Sequence, residues 1–142
     1  MLDSQLTKMI LTEEGVKNLT KLLERLLAES GAKYVIVVEK SGQKIASLGE
    51  SSPNEMALAA LVAGAFSSTR EIAKLLGEQV FRMMIQKGEH DNIFISLLET
   101  EDLLTVVFDE RTTLGMVKLK ISQITPEISA AIKQMTTSEK QE

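Results

Sequence analysis

Hydrophobic positions change their spacing several times along this chain, and each change marks an element. From Glu13 to Ser30, Val16, Leu19, Leu22, Leu23, Leu26 and Leu27 recur every three or four residues, the spacing of one helical face. Thr12 stands where an N-cap belongs and Gly31 where a helix stops. KYVIVVEK then predicts a strand that is apolar on both faces. Ser41 and Gly42 make a turn, and KIASLG returns as the second arm of a hairpin. A strand without a polar face needs helices above and below its sheet.

Ser52, Pro53 and Glu55 signal a second helix start, with a capping hydroxyl, proline at the first helical position and a glutamate placed to bond back to the cap. This helix is expected to run to about Leu76 and stop at Gly77. QVFRMMIQ, NIFISLLE and LLTVVFDE follow, separated by KGEHD and TED, and predict three antiparallel strands. Leu114, Val117, Ile121, Ile124, Ile128, Ile132 and Met135 restore the helical period to the end. Pro126 lies inside that run and predicts a kink near Ser122 to Thr125, or a restart with Thr125 as cap. The order is α-β-β-α-β-β-β-α in one α+β domain spanning 1–142, with a core of about 13–135 and a polar tail over 136–142.

The second helix departs from the ordinary amphipathic pattern. On a wheel of about 100° per residue, Leu58, Leu61, Val62, Ala65, Thr69, Ile72 and Leu76 share one face, the expected core face. Met56, Ala60, Ala63 and Ser67 occupy the other, ahead of Arg70, Glu71 and Lys74. No charge occurs between Glu55 and Arg70, and Gly64 sits mid-helix, where glycine costs about 1 kcal/mol relative to alanine. A helix that is apolar or small all round is buried all round, which a two-layer domain cannot achieve alone. The outer face is therefore expected to be a protein interface, most simply a two-fold one.

Composition narrows the chemistry. The 142 residues carry a net charge of −4, no cysteine, one histidine, four Phe and no Trp. Disulfides and thiolate metal sites are excluded, and the absence of a basic stripe and of stacking aromatics argues against nucleic acid. No run approaches the length of a membrane span and the first residues do not form a signal peptide, so a cytoplasmic location without membrane insertion is expected. Neither common nucleotide-binding loop is present, and no cofactor or metal is expected. His90 lies in a predicted turn. Ser67, Ser68 and Thr69 lack a nucleophile elbow, and Glu99, Glu101 and Asp102 lack the spacing of a calcium loop. Arg70, Arg82 and Arg111 are each weighed as an inserted arginine and assigned to surface ion pairs.

The element order, with LVAGAFSSTREIAKLLGE, YVIVVEKSGQKIA and LLTVVFDERTTLGMVKLK, resembles the Roadblock/dynein light-chain superfamily, and within it the bacterial MglB type. The likeness covers about Glu13 to Gln134. It implies a five-stranded antiparallel sheet with the long second helix on one face and the first and last helices on the other. It further implies a homodimer formed through the third strand, about Gln79 to Gln86, and through the second helices. The implied function is binding of a Ras-like small GTPase, MglA, in its GTP form and stimulation of hydrolysis without an arginine finger, in cell polarity or motility control. A non-catalytic scaffold is the alternative. Met56, Ala60, Ala63, Gly64 and Ser67 then fall on the interface, with Arg70, Glu71 and Lys74 as its polar rim. Phe66, bulky in a stretch of small residues, and Pro126 depart from the family pattern.

Overall fold

Two helices cover one face of a sheet and a single helix covers the other. The structure, a computed structural model, describes residues 13–50, 54–79 and 81–141. Its elements are α1 (Glu13–Ser30), β1 (Tyr34–Val38), β2 (Lys44–Gly49), α2 (Glu55–Leu75), β3 (Met83–Lys87), β4 (Asn92–Leu97), β5 (Leu103–Phe108) and α3 (Leu114–Gln141). All strand pairs are antiparallel, in the order β2-β1-β5-β4-β3, so β3 is an edge with β4 as its neighbour. Thr12, Ser52, Pro53 and residue 142 of the predicted tail lie outside the described residues.

The core divides as the strand pattern demands. Val35 and Val37 point to one side of β1 and pack with Leu19, Leu23 and Leu26 of α1 and Val117, Ile121, Ile124 and Ile128 of α3. Tyr34, Ile36 and Val38 point to the other side and pack with Ala59, Val62 and Phe66 of α2. Every residue of β1 is buried, as two covering layers require. Gly42, at φ +101, turns the β1–β2 hairpin, and a Cβ there would stand 3.3 Å from the Cα of Ala60. Part of the small-residue stretch in α2 is thus small because the chain's own hairpin crosses it.

Three expectations need correction. The second helix begins after Asn54, whose side chain accepts from the Ala57 amide, so the cap is Asn54 and not the expected Ser52, which lies outside the described residues. The wheel was also centred on the wrong residues. Ala59, Val62, Phe66 and Ala73 face the sheet, a rotation of roughly 70° from the predicted face on a 3.6-residue turn. Leu61 and Leu76, expected inside, are 71% and 68% exposed. The sheet face of β5 and β1 is already filled by Ile36, Val38 and Leu103, so alanine and a single phenylalanine fit against it where a leucine row would not. Finally, α3 runs through Pro126 without a restart. Thr125 does not cap a new helix; its hydroxyl donates to the carbonyl of Ile121 at 2.6 Å, and Ser122 donates to that of Leu119.

The predicted third strand also shifts, from 79–86 to Met83–Lys87. Gly77, at φ +81, ends the helix where expected, with its amide on the Lys74 carbonyl while Glu78 bonds Ala73, and ladder pairing with β4 begins only at Met83.

Candidate functional site

Several of the largest apolar side chains of α2 are exposed. Met56 is 83% exposed, Leu61 71% and Leu75 88%, with Ile72 and Leu76 beside them. Helical geometry places Leu61, Ile72 and Leu75 within about 60° of one another, away from Ala59, Val62, Phe66 and Ala73, and puts Met56 on the neighbouring outward face with Ala60 and Ser67. Scattered exposed leucines are ordinary, whereas Leu61, Ile72 and Leu75 form a contiguous exposed apolar strip.

The predicted site residues fall around this row. Ala60, Gly64 and Ser67 are exposed, and nothing comes within 4 Å of the position a Gly64 Cβ would take. Ala63 is half-buried, packed on the α2 core cluster and near Gly42. Arg70 is partly buried with its guanidinium 5.7 Å from the Phe66 ring centre and 3.6 Å from Glu101. Glu71 and Lys74 are exposed and paired with each other at 3.2 Å. Met56, Ala60, Gly64, Ser67 and Glu71 therefore share an outward surface, whereas Ala63 and Arg70 are at its border. Sequence reasoning missed Leu61, Ile72, Leu75 and Leu76, having assigned Leu61, Ile72 and Leu76 to the core. The signal that could have found them was Phe66: a wheel centred on Val62, Phe66 and Ala73 turns the leucines outward.

The N-terminal end of α2 is fixed by Glu55. Its carboxylate accepts from Tyr34 Oη at 2.6 Å, from Ser47 Oγ at 2.7 Å and from Lys44 Nζ at 3.0 Å. The Tyr34 and Ser47 hydroxyls and the Lys44 ammonium hold it down at a pKa of about 2, and the same contact and its burial push the Tyr34 phenol up. The helix bearing the apolar row is tied in this way to both arms of the first hairpin.

At the edge of the sheet, β3 presents a ladder edge with no strand beside it among the described residues. Met83 and Ile85 are 45% and 43% exposed, on the side of the sheet where α3 lies. Between β3, β4 and α3 runs an open groove of about 580 Å³ lined by Met83, Phe94, Leu97, Leu119 and Pro126. An exposed strand edge is a template for another strand.

The weighed catalytic groups are not assembled into a reactive constellation. Thr69 donates to the Ala65 carbonyl within its own helix. Arg111 is held by Asp109 at 2.9 Å and Glu50 at 3.2 Å, and it draws the Asp109 pKa down to about 2. Glu99 and Glu101 are exposed, but Asp102 is buried in the β4–β5 turn, where it accepts from Thr100 and desolvation raises its pKa. Among the described residues no group of three potential metal ligands converges, and no helix is long and apolar enough to cross a membrane.

Comparison with known proteins agrees with this architecture. Residues 19–108 match the Roadblock/LC7 domain family. The structure superposes on the gliding protein MglB of Thermus thermophilus with a TM-score of 0.82 at 30% identity, over 87% of this chain and 95% of that one. For MglB of Myxococcus xanthus the values are 0.81 and 31%, over 87% and 94%. A structure described as MglB with a tetrameric arrangement gives 0.83 and 29%, over 88% and 95%. A search of curated protein sequences returns no significant match. The sheet order, the helix placement and these likenesses together make the chain a member of the Roadblock/LC7 family, of the MglB type.

Proposed function

We propose that this chain is a homodimeric regulator that binds a Ras-like small GTPase of the MglA type in its GTP form and stimulates hydrolysis. It acts by favouring the hydrolysis-competent arrangement of the GTPase's own loops and has no active site of its own. The observation that carries the reading is the exposed apolar strip of α2, formed by Leu61, Ile72 and Leu75 beside the outward face that bears Met56, Ala60 and Ser67, on a chain of the MglB type. The site comprises Met56, Ala60, Ala63, Gly64 and Ser67, with Arg70, Glu71 and Lys74 at its border, and the four leucine and isoleucine residues now join it. Self-pairing through the free edge of β3 supplies the dimer and covers Met83 and Ile85. Arg111, tied to two carboxylates, is not placed to enter another protein's active site.

Single-turnover GTP hydrolysis by an MglA-type GTPase, measured with and without this chain, tests the proposal. An increase of about tenfold or more, corresponding to roughly 1.4 kcal/mol off the barrier, supports it. Tight binding with unchanged turnover selects a tethering scaffold instead, and absence of binding rejects both.

A further inference from the structure

Beside the outer face of α2, two loops meet over a small pocket of about 180 Å³ bordered by Ala63, Ser67 and Arg70. Lys40, from the β1–β2 turn, and Arg70, from α2, both point at one carboxylate, Glu101 of the β4–β5 turn. Their distances are 4.0 and 3.6 Å, attraction without a hydrogen bond. Arg70 is held against Phe66, and its Nε is enclosed with no acceptor. Glu101 reaches this position from a backbone φ of +70, in the left-handed region that non-glycine residues seldom adopt. Two cations are thus arranged around a carboxylate that satisfies neither of them.

We infer that Lys40 and Arg70 form a seat for an acidic side chain of the protein docked on α2, and that Glu101 occupies this seat until the partner arrives. The internal carboxylate identifies the chemistry of the ligand. The size of the pocket identifies its form: ligand pockets run to roughly 300–1,000 Å³, so this one takes the end of a side chain and not a nucleotide. Its wall of Ala63 and Ser67 makes it continuous with the α2 surface. The inference rests on the reading of α2 as a partner surface and adds a specificity element to it. Displacing Glu101 lets Arg70 exchange a long ion pair for a bidentate one, so an acidic residue at the matching place selects the correct partner and adds to the association rate.

The test titrates an MglA-type GTPase, loaded with a fluorescent non-hydrolysable GTP analogue, with the parent chain and with Gly64→Arg, Glu101→Gln, Arg70→Gln and Lys40→Gln. Thermal melts establish that each variant is folded. Glu101→Gln is expected to bind about threefold more tightly, and Arg70→Gln and Lys40→Gln about threefold to fivefold more weakly, the range of exposed ion pairs. Combining Glu101→Gln with Arg70→Gln should abolish the gain. A flat response, or weaker binding by Glu101→Gln, overturns the seat while binding that is lost in Gly64→Arg keeps the α2 reading. No binding by the parent, or parental binding by Gly64→Arg, overturns both.

Discussion

The two faces of the sheet solve the same problem in opposite ways. On the α1 and α3 side, leucine and isoleucine turn inward, and lysine, arginine and glutamate turn out. On the α2 side, the helix turns two alanines, a valine and one phenylalanine inward, with Leu58 packed beside them, and keeps Met56, Leu61, Ile72 and Leu75 outside. The first arrangement packs most of its large apolar residues into the chain's own core and leaves Leu114, Met116 and Leu119 partly exposed along α3. The second leaves Met56, Leu61, Ile72 and Leu75 uncovered, the feature on which the proposed partner surface rests.

The sharpest way to break this comparison is to truncate one leucine on each side. Leu23 of α1 is fully buried, so Leu23→Ala is expected to cost about 2–5 kcal/mol in denaturant unfolding. Leu61→Ala in dilute protein should cost less than about 0.5 kcal/mol, as for an open surface position. Equal losses would mean that α2 is an ordinary core helix.

Gly64→Arg separates folding from association. The position is open, so the substituted chain should fold, and loss of a mid-helix glycine should stabilise the monomer by about 0.5–1 kcal/mol. Sedimentation equilibrium should nevertheless show self-association weakened by about tenfold or more, or roughly 1.4 kcal/mol. A stable dimer of the parental affinity would remove α2 from the interface.

These contrasts also explain what the sequence disclosed. Element order and the covering of both sheet faces were legible because the apolar spacing of α1, β1 and α3 matches their burial almost residue by residue. The orientation of α2 was not. A wheel finds the side with the largest apolar residues, and in α2 that side faces away from the sheet; Leu61 and Ile72 misled the assignment for the reason that makes them interesting. Of the two outcomes expected at Pro126, the restart with Thr125 as cap does not occur, since α3 is one continuous helix through the proline and the Thr125 hydroxyl bonds back to the Ile121 carbonyl. The outward stretch around Ala60, Gly64 and Ser67 was legible from the missing charges. The Lys40, Arg70 and Glu101 arrangement was not, since it joins three segments distant in sequence.

Glu55 sharpens the comparison at the point where α2 meets the hairpin. Its pKa falls from the ordinary 4.5 to about 2 on folding, so its contribution is complete above pH 4.5 and is lost as the pH drops from there toward 2. After solvent screening, Glu55→Gln is expected to cost about 1–2 kcal/mol at neutral pH. The parent and variant stabilities should converge on acidification across that window. A difference that persists at pH 2 would assign the effect to packing instead of charge.

The smallest effect belongs to the opposite side of the sheet. Arg25 of α1 and Glu127 of α3 form a two-pronged ion pair with both side chains about half exposed, at 45% and 50%. The helices it links are already joined through Leu19, Leu23 and Leu26 against Ile124 and Ile128. Bidentate geometry favours the pair, but exposure to water and the ordering of two long side chains offset most of the gain. Glu127→Gln should therefore lower the melting temperature by less than about 2 °C, and raising the salt concentration should bring parent and variant together. A larger drop would mean that α1 and α3 depend on charge at their crossing, and that apolar packing alone does not hold this side of the sheet closed.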